Sequence, residues 1–234
     1  YGLTYSLVGV GVGGGIPAFA FSFWMSLGAG IIMMIMCLPK RSYPGISIPH
    51  LRGYFMTGIS GFGIPYIAVT IASSEGVPAG ITSMLVALAP ILTYLGAVIF
   101  RLDRLTALKS FGFIVGVGGV LLIVIPEASL PSPDLVGWVI LVLLAPLGYA
   151  TSALSAALLP PPKSDAIQFS AGFFLATSLF LFVFMAGSGD WWWFSGQMDD
   201  ADWALIMSAP LQALGIYLFL ELIRTMGPVF FTSV

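Results

Sequence analysis

Uncharged hydrogen-bonding side chains stand inside several long apolar stretches of this sequence. Tyr66 and Thr70 are four positions apart and would share one face of a helix. Tyr149 and Ser152, three positions apart, form a second such pair. Gln212 stands near the centre of a third stretch, where a primary amide facing lipid would be costly. The chemistry available to these residues is hydrogen bonding without net charge.

Tyr217 occupies a position similar to that of Tyr66 in a second copy of a pattern described below. In a pseudosymmetric site, the two hydroxyls would face one substrate. The alternative is that each buried tyrosine donates to a nearby carbonyl and has a purely structural role. Gln212 lies about 140° around a helix from Tyr217, so these two side chains would not face the same point.

The sequence offers few residues that could catalyse a reaction or bind a metal ion. The sequence contains one histidine, His50, and one cysteine, Cys37. The segment Gly9–Gly14 matches a dinucleotide-binding glycine pattern, but no alternation of strand and helix surrounds it. We therefore expect no cofactor, no metal site and no enzyme activity. A membrane-embedded enzyme remains the alternative, and it predicts acidic, histidine, serine or cysteine side chains clustered at one depth.

The composition requires a lipid environment. Hydrophobic residues make up 59% of the chain and charged residues 8%, and the mean hydropathy is +1.04. Soluble domains are about half apolar and one-quarter charged. The sequence predicts an integral membrane protein, and its net charge of −2 argues against nucleic acid as a partner.

Seven segments are long and apolar enough to cross a bilayer as helices. They are approximately Ile16–Leu38, Gly53–Ser73, Ala79–Phe100, Thr106–Ile125, Leu135–Leu158, Ala166–Ala186 and Trp203–Ile223. Tyr1–Val12 resembles the end of an eighth helix, and a ninth would begin at Val229. The chain does not begin with methionine, and we expect that its natural N-terminus is missing.

Charge segregation predicts the orientation of these helices. If the seven spans alternate in direction, all basic residues fall on one side of the membrane: Lys40, Arg41, Arg52, Arg101, Arg104, Lys163, Lys109 and Arg224. Because basic loops stay in the cytoplasm, we expect a multi-pass cell-membrane protein with these loops cytoplasmic, in a bacterial inner membrane.

The two halves of the sequence resemble each other. Phe21–Ser22 match Phe169–Ser170, 148 positions later, and Gly63–Tyr66 resembles Gly215–Tyr217. In this comparison the first span corresponds to the sixth, a shift of five. Since five is odd, the two units must have opposite orientations in the membrane. The fold predicted is an all-α polytopic membrane bundle of two inverted five-helix repeats, truncated at both ends.

Prolines lie near the middle of four predicted spans, at Pro65, Pro90, Pro146 and Pro210. A mid-helix proline frees a backbone carbonyl, which is tolerated where protein or a water-filled cavity satisfies it. Four at similar depth favour a shared cavity, and Pro90 is one candidate for its lining. The alternative is that each proline only kinks its helix for packing.

One stretch of the sequence combines a mid-span proline, a short turn and a glycine-bearing apolar segment. The residues concerned are Pro90, Tyr94, Ile99–Thr106, Gly112 and Gly116–Leu122. This arrangement resembles the end of an EamA repeat in the drug/metabolite transporter superfamily. The chain departs from that pattern at Leu102–Asp103, where Gly-Glu is usual, and at Trp24, where many members carry arginine. The resemblance implies a ten-helix fold, with residues 1–128 as the first repeat, its first helix incomplete, and 129–234 as the second, its last two helices missing.

Together these features predict a secondary carrier that works by alternating access and is an exporter. Few charges inside the spans suit amino acids, their derivatives or amphipathic drugs better than strongly anionic substrates. The partners expected are a small-molecule substrate and the lipid bilayer, and the sequence does not determine an oligomeric state. The candidate substrate-path residues are Tyr66, Thr70, Pro90, Tyr149, Ser152, Gln212 and Tyr217. A non-transporting membrane scaffold is a further alternative.

Overall fold

The computed structural model describes residues 2–39, 41–104, 111–112, 114–116, 118–119, 133–194, 196 and 198–226 of the 234-residue chain. In these residues every regular element is a helix. The α-helices are α1 (Gly2–Gly13), α2 (Ala18–Cys37), α3 (Ile48–Gly58), α4 (Ile64–Ser74), α5 (Ala79–Val86), α6 (Ala89–Ile99), α7 (Val136–Val142), α8 (Leu144–Leu158), α9 (Ala166–Ser188) and α10 (Asp200–Met226). A π-helix, Ile59–Gly63, joins α3 to α4, and a 3-10 turn, Pro133–Leu135, precedes α7.

Six continuous helical segments of the described chain are long and apolar enough to cross a membrane. They are Ala18–Cys37, Ile48–Ser74, Ala79–Ile99, Val136–Leu158, Ala166–Ser188 and Asp200–Met226. Their lengths of 20 to 27 residues correspond to about 30 to 40 Å of helix, enough for the hydrocarbon core. The protein is a polytopic helical membrane bundle.

Six of the seven predicted spans are confirmed, with shifted ends. The second begins at Ile48 rather than Gly53, because Pro49 starts the helix in its first turn. The last begins at Asp200 rather than Trp203, since the carboxylates of Asp199 and Asp202 accept each other's backbone N–H groups there. Most of the predicted span Thr106–Ile125, the helix expected from Val229 and the repeat boundary at 128/129 lie outside the described residues.

Two of the mid-span prolines, Pro90 and Pro146, interrupt their spans, and in both cases the preceding helix ends four residues before the proline. Proline cannot donate to the carbonyl four residues earlier. Helix α5 ends at Val86, four residues before Pro90, and α7 ends at Val142, four residues before Pro146. In both spans, the freed carbonyl belongs to the last residue of the preceding helical segment.

The other two prolines have different local effects. The carbonyl four residues before Pro65 belongs to Gly61, in the middle of the π-helix Ile59–Gly63. The wider helical turn there accommodates the missing bond without ending the span. Around Pro210, in contrast, α10 continues uninterrupted.

Helices α2 and α9 pack against each other in antiparallel directions. Phe19 near the start of α2 contacts Phe184 near the end of α9, with ring centroids 5.9 Å apart. Midway, the hydroxyl of Ser26 donates to the carbonyl of Phe174 at 3.1 Å. Ser26 and Phe174 are 148 positions apart, the same offset that relates the two halves of the sequence. Contact between counterpart residues is what a two-fold axis through the crossing point of two helices requires.

Two further close contacts between helices, Gly58 with Thr177 and Gly28 with Ala209, also lie at positions that approximately correspond in the repeat. Gly58, at the end of α3, lies directly against Thr177 of α9, with no room for a side chain. Gly28 of α2 lies against Ala209 of α10, where an added Cβ would be 3.0 Å from that of the alanine. In the repeat comparison Gly58 corresponds to a residue near Ala209, and Thr177 to one adjacent to Gly28. Small residues let both helix pairs approach closely.

The helix contacts gather the described basic residues at one end of the bundle, which we call the basic end. Gln168, at the start of α9, bonds to Ser42 after α2. Gly53, in the first quarter of the continuous span Ile48–Ser74, lies against Pro161. The residues concerned are Arg41, Arg52, Arg101, Arg104, Lys163 and Arg224. At the opposite end, Gly14 after α1 meets Ala201 at the start of α10.

Candidate functional site

The centre of the site is a hydrogen bond between two candidate residues on different helices. The side-chain amide of Gln212, near the middle of α10, donates to the hydroxyl oxygen of Tyr66 on α4. Gln212 is 3% exposed and Tyr66 1%. The Tyr66 ring also stacks on Phe62 of the π-helix, with centroids 4.1 Å apart and planes at 14°. The bond joins the first predicted unit to the second and satisfies an amide that is removed from solvent.

A second bond between the predicted units lies beside the first. The hydroxyls of Tyr5 on α1 and Tyr149 on α8 are 2.9 Å apart. Tyr5 is 2% exposed, and its ring centroid lies 6.4 Å from that of Tyr66. Three tyrosines from three helices therefore meet in one region of the bundle.

Thr70 extends the cluster toward the end opposite the basic one. It lies one turn after Tyr66, and its hydroxyl donates to the Tyr66 carbonyl at 2.6 Å. It is also 3.2 Å from the hydroxyl of Ser22 on α2. Both hydroxyl-bearing residues are fully buried. We call Tyr5, Ser22, Tyr66, Thr70, Tyr149 and Gln212 the central polar cluster.

Three candidate residues lie outside this cluster. Ser152 is buried on α8, but its hydroxyl donates to the carbonyl of Thr57 at 2.9 Å, which fastens α8 to α3. Pro90 lies half-buried at the start of α6. Tyr217 is half-buried against the hydrophobic core of the bundle. The structure thus brings together Tyr66, Thr70, Tyr149 and Gln212 and does not add the other three to them.

Sequence reasoning missed two members of the cluster, Tyr5 and Ser22. Tyr5 lies in α1, whose short apolar run gave no reason to place it at the depth of Tyr66. Ser22 was noted only as part of the match with Ser170. A serine flanked by phenylalanines within an apolar helix is a signal for an internal hydrogen bond, and it could have been used.

The chemistry of the cluster is neutral. Its side chains are hydroxyls and one amide, which donate and accept hydrogen bonds without charge. Among the described residues, no three histidine, cysteine, aspartate or glutamate side chains gather closely enough to hold a metal ion. The arrangement suits binding and release of a polar, net-neutral group between two sets of helices.

A cavity opens at the basic end, away from the cluster. Its volume is about 290 Å³, at the lower end of the range for small-molecule pockets. Apolar side chains such as Phe169, Leu220 and Ile223 form much of its wall, and Ser164, Asp165 and Arg224 supply polar groups. The cavity lies between the ends of α8 and α10 and the start of α9.

Comparison with known families gives an assignment that agrees with this architecture. A model described as the EamA-like transporter family matches residues 1–125, slightly more than half of the 234-residue chain. A comparison with curated proteins found no match. The family match and the six membrane-length helices lead to one conclusion: this chain belongs to the EamA-like transporter family and is a multi-pass membrane protein.

Proposed function

We propose that the protein is a secondary carrier that exports small organic metabolites across the cell membrane by alternating access. The observation that carries the proposal is the central polar cluster. Two of its bonds, Tyr66–Gln212 and Tyr5–Tyr149, cross from the first predicted unit to the second. A substrate passing between the units must separate these partners and can replace the hydrogen bonds they lose.

The repeat organisation supports this mechanism. The family match ends at residue 125, close to the first predicted unit's end at 128. The antiparallel contact of Ser26 with Phe174 joins counterpart positions. Inverted units of this kind rock against each other around a shared site in secondary transporters.

The neutral cluster also bears on the substrate. A strongly anionic solute would require a basic side chain where it replaces the hydrogen bonds of the central polar cluster. The side chains of this cluster are hydroxyls and an amide. Amino acids, their derivatives and amphipathic drugs carry the polar groups and apolar surface that such walls accept. Basic loops face the cytoplasm in membrane proteins, so the cavity at the basic end is on the side from which an exporter takes up its substrate.

The test is uptake into proteoliposomes containing the purified protein, against a panel of neutral amino acids, their esters and cationic drugs. Wild-type protein should exchange at least one class. Gln212→Leu should reduce that exchange about tenfold or more, because the substrate loses the side-chain amide to which it would bond when Gln212 and Tyr66 separate. Leu214→Ala is the matched control on the same helix, since Leu214 is 54% exposed and should leave exchange unchanged.

Two results would contradict the proposal. Folded wild-type protein that exchanges no member of the panel would remove the carrier function. Equal exchange by wild type and Gln212→Leu would remove the central polar cluster from the substrate path.

A further inference from the structure

Gln168 fastens a loop at the basic end of the α2–α9 pair. Its side-chain amide nitrogen donates to the hydroxyl of Ser42 at 2.6 Å and to the carbonyl of Tyr43 at 3.1 Å. Its amide oxygen accepts the backbone N–H of Asp165 at 2.8 Å. Donor and acceptor groups of the side chain are all engaged, so the segment after α2 is held against the start of α9.

Trp24 fastens a loop at the opposite end of the same helix pair. Its indole N–H donates to the carbonyl of Trp192 at 3.1 Å. Its ring meets that of Trp193 edge-on, with centroids 5.0 Å apart. Here the segment after α9 is held against the first half of α2.

The contacts of Gln168 and those of Trp24, which we call the two fastenings, lie at approximately corresponding positions in the repeat. At the offset of 148 shared by Ser26 and Phe174, Tyr43 corresponds to Trp191, next to the acceptor Trp192. Gln168 corresponds to Ala20, one helical turn from Trp24 and on the same face of the helix. The bundle therefore carries the same device at both ends, with an amide at the basic end and an indole at the other.

Each fastening also crosses between the predicted units, because α2 belongs to the first and α9 to the second. A carrier that works by alternating access must open one end while the other stays closed. We propose that Gln168 and Trp24 are gating residues, and that each holds its own end of the bundle closed until its hydrogen bond breaks. This inference rests on the proposed carrier function.

Cys37 is a built-in reporter for the basic end. It is the single cysteine of the sequence, is 1% exposed and ends α2, where its carbonyl accepts the backbone N–H of Ser42 at 3.4 Å. A membrane-permeant maleimide would measure how often that end opens. Met185→Cys in a Cys37→Ala background reports on the other end, because Met185 is the counterpart of Cys37 at the offset of 148, is 2% exposed and lies near the end of α9.

The variant Ser42→Ala with Gln168→Glu removes the fastening at the basic end. Glutamate keeps the side-chain oxygen that accepts the Asp165 N–H and so preserves the capping box of α9. Alkylation of Cys37 should accelerate about tenfold, the effect of losing one to two hydrogen bonds on a local opening. Alkylation at the Met185→Cys position should remain within about twofold of its rate before the change.

Trp24→Phe is the matched variant at the other end, since it keeps an aromatic ring and removes the N–H. It should accelerate alkylation at the Met185→Cys position and leave the alkylation rate of Cys37 unchanged. Ser42→Ala alone leaves the bond to the Tyr43 carbonyl and should give a smaller rise at Cys37. It tests the basic end if the double variant fails to accumulate in the membrane.

Two outcomes would overturn the gating role: unchanged rates at both reporters, or acceleration at both by either variant, which is general loosening. Labelling requires no substrate, whereas the carrier function is tested by uptake. Absence of uptake with end-specific labelling would therefore contradict the function and not the fastenings.

Discussion

At the residue scale, the central polar cluster resolves a conflict between lipid and polarity. A membrane interior offers no water to an amide or a hydroxyl, so each polar group must find a partner within the protein. Tyr66 supplies this for Gln212, and the Tyr66 carbonyl accepts the Thr70 hydroxyl. Gln212 and Tyr66 come from different helices, so this bond also determines which helices lie next to each other.

The bond between Tyr5 and Tyr149 can be isolated by a double-mutant cycle. Tyr5→Phe and Tyr149→Phe should each lower the free energy of unfolding by about 1 kcal/mol. The double variant should lose less than the sum of the two, with a coupling of about 0.5 to 1 kcal/mol. Unfolding in mixed detergent micelles, followed by tryptophan fluorescence, gives all four values. Strictly additive losses would mean that the two hydroxyls do not stabilise the fold through each other.

Sequence reasoning was most informative where helical spacing alone carries the information. The interval between Tyr66 and Thr70 predicted a shared face, and the structure places both in the cluster. The approximate repeat suggested that Tyr217 would join Tyr66, but the structure leaves Tyr217 outside the cluster. A repeat gives a residue's position along a helix, whereas its partners depend on rotation about the axis, which a drift of a few positions changes.

At the element scale, the helix ends differ between the two faces. Left-handed backbone conformations at one end belong to glycines, such as Gly76 and Gly189 with φ of 91° and 77°. After the helices that end at the basic face, Arg41, Arg101 and Lys163 adopt φ of 47°, 59° and 52° instead. Positive φ is unfavourable for a residue with a Cβ. The three basic residues therefore stand at positions where the backbone alone would favour glycine.

Arg101→Gly tests whether backbone strain or charge has the larger effect on stability at this position. Glycine adopts positive φ freely, so the free energy of unfolding should rise by about 1 kcal/mol although a charge is lost. Arg52→Gly is the control, because Arg52 is also exposed but lies inside α3. There glycine should lower the free energy of unfolding by about 0.5 to 1 kcal/mol. A fall in both variants would show that the charge, not the backbone, determines the effect at residue 101.

Close approach between helices gives a second contrast at this scale. A Cβ at Gly58 would meet the backbone carbonyl of Phe173 at 2.7 Å. Gly58→Ala should therefore cost about 1 to 3 kcal/mol. Gly80, near the start of α5, has open space around it, and Gly80→Ala should be neutral or slightly stabilising. Thermal unfolding in detergent measures both, and equal effects would mean that α3 does not pack on α9 as closely as described.

The elements themselves were largely predictable, because a run of about 20 apolar residues has few alternatives in a membrane. The mid-span prolines had different effects: the helices break before Pro90 and Pro146, whereas α10 continues through Pro210. The π-helix Ile59–Gly63 was not predicted, since apolar residues surround it on every side and no change in periodicity marks a wider turn. The presence of Gly61 four residues before Pro65 is compatible with a kink as well as with a π-helix.

At the scale of the whole molecule, the antiparallel pair of α2 and α9 organises the bundle. Counterpart residues touch at its centre, and its two ends are fastened by different side chains. Helices related in this way run in opposite directions, so their C-terminal ends lie on opposite faces of the membrane. The antiparallel packing of α2 and α9 is what the predicted odd number of crossings between counterparts requires, and it does not depend on which solute is carried.

Site-specific labelling in intact cells tests that relation. In a Cys37→Ala background, Tyr43→Cys places a thiol after α2 and Met198→Cys places one after α9, both at exposed positions. If the basic end faces the cytoplasm, as the positive-inside rule predicts, a membrane-impermeant maleimide should label Met198→Cys and Glu75→Cys directly, but Tyr43→Cys and Lys163→Cys only after permeabilisation. Labelling with the two sets exchanged would reverse the orientation and keep the inversion. If Tyr43→Cys and Met198→Cys react from the same side, α2 and α9 cannot be inverted counterparts, and alternating access between two opposed units would no longer explain the bundle.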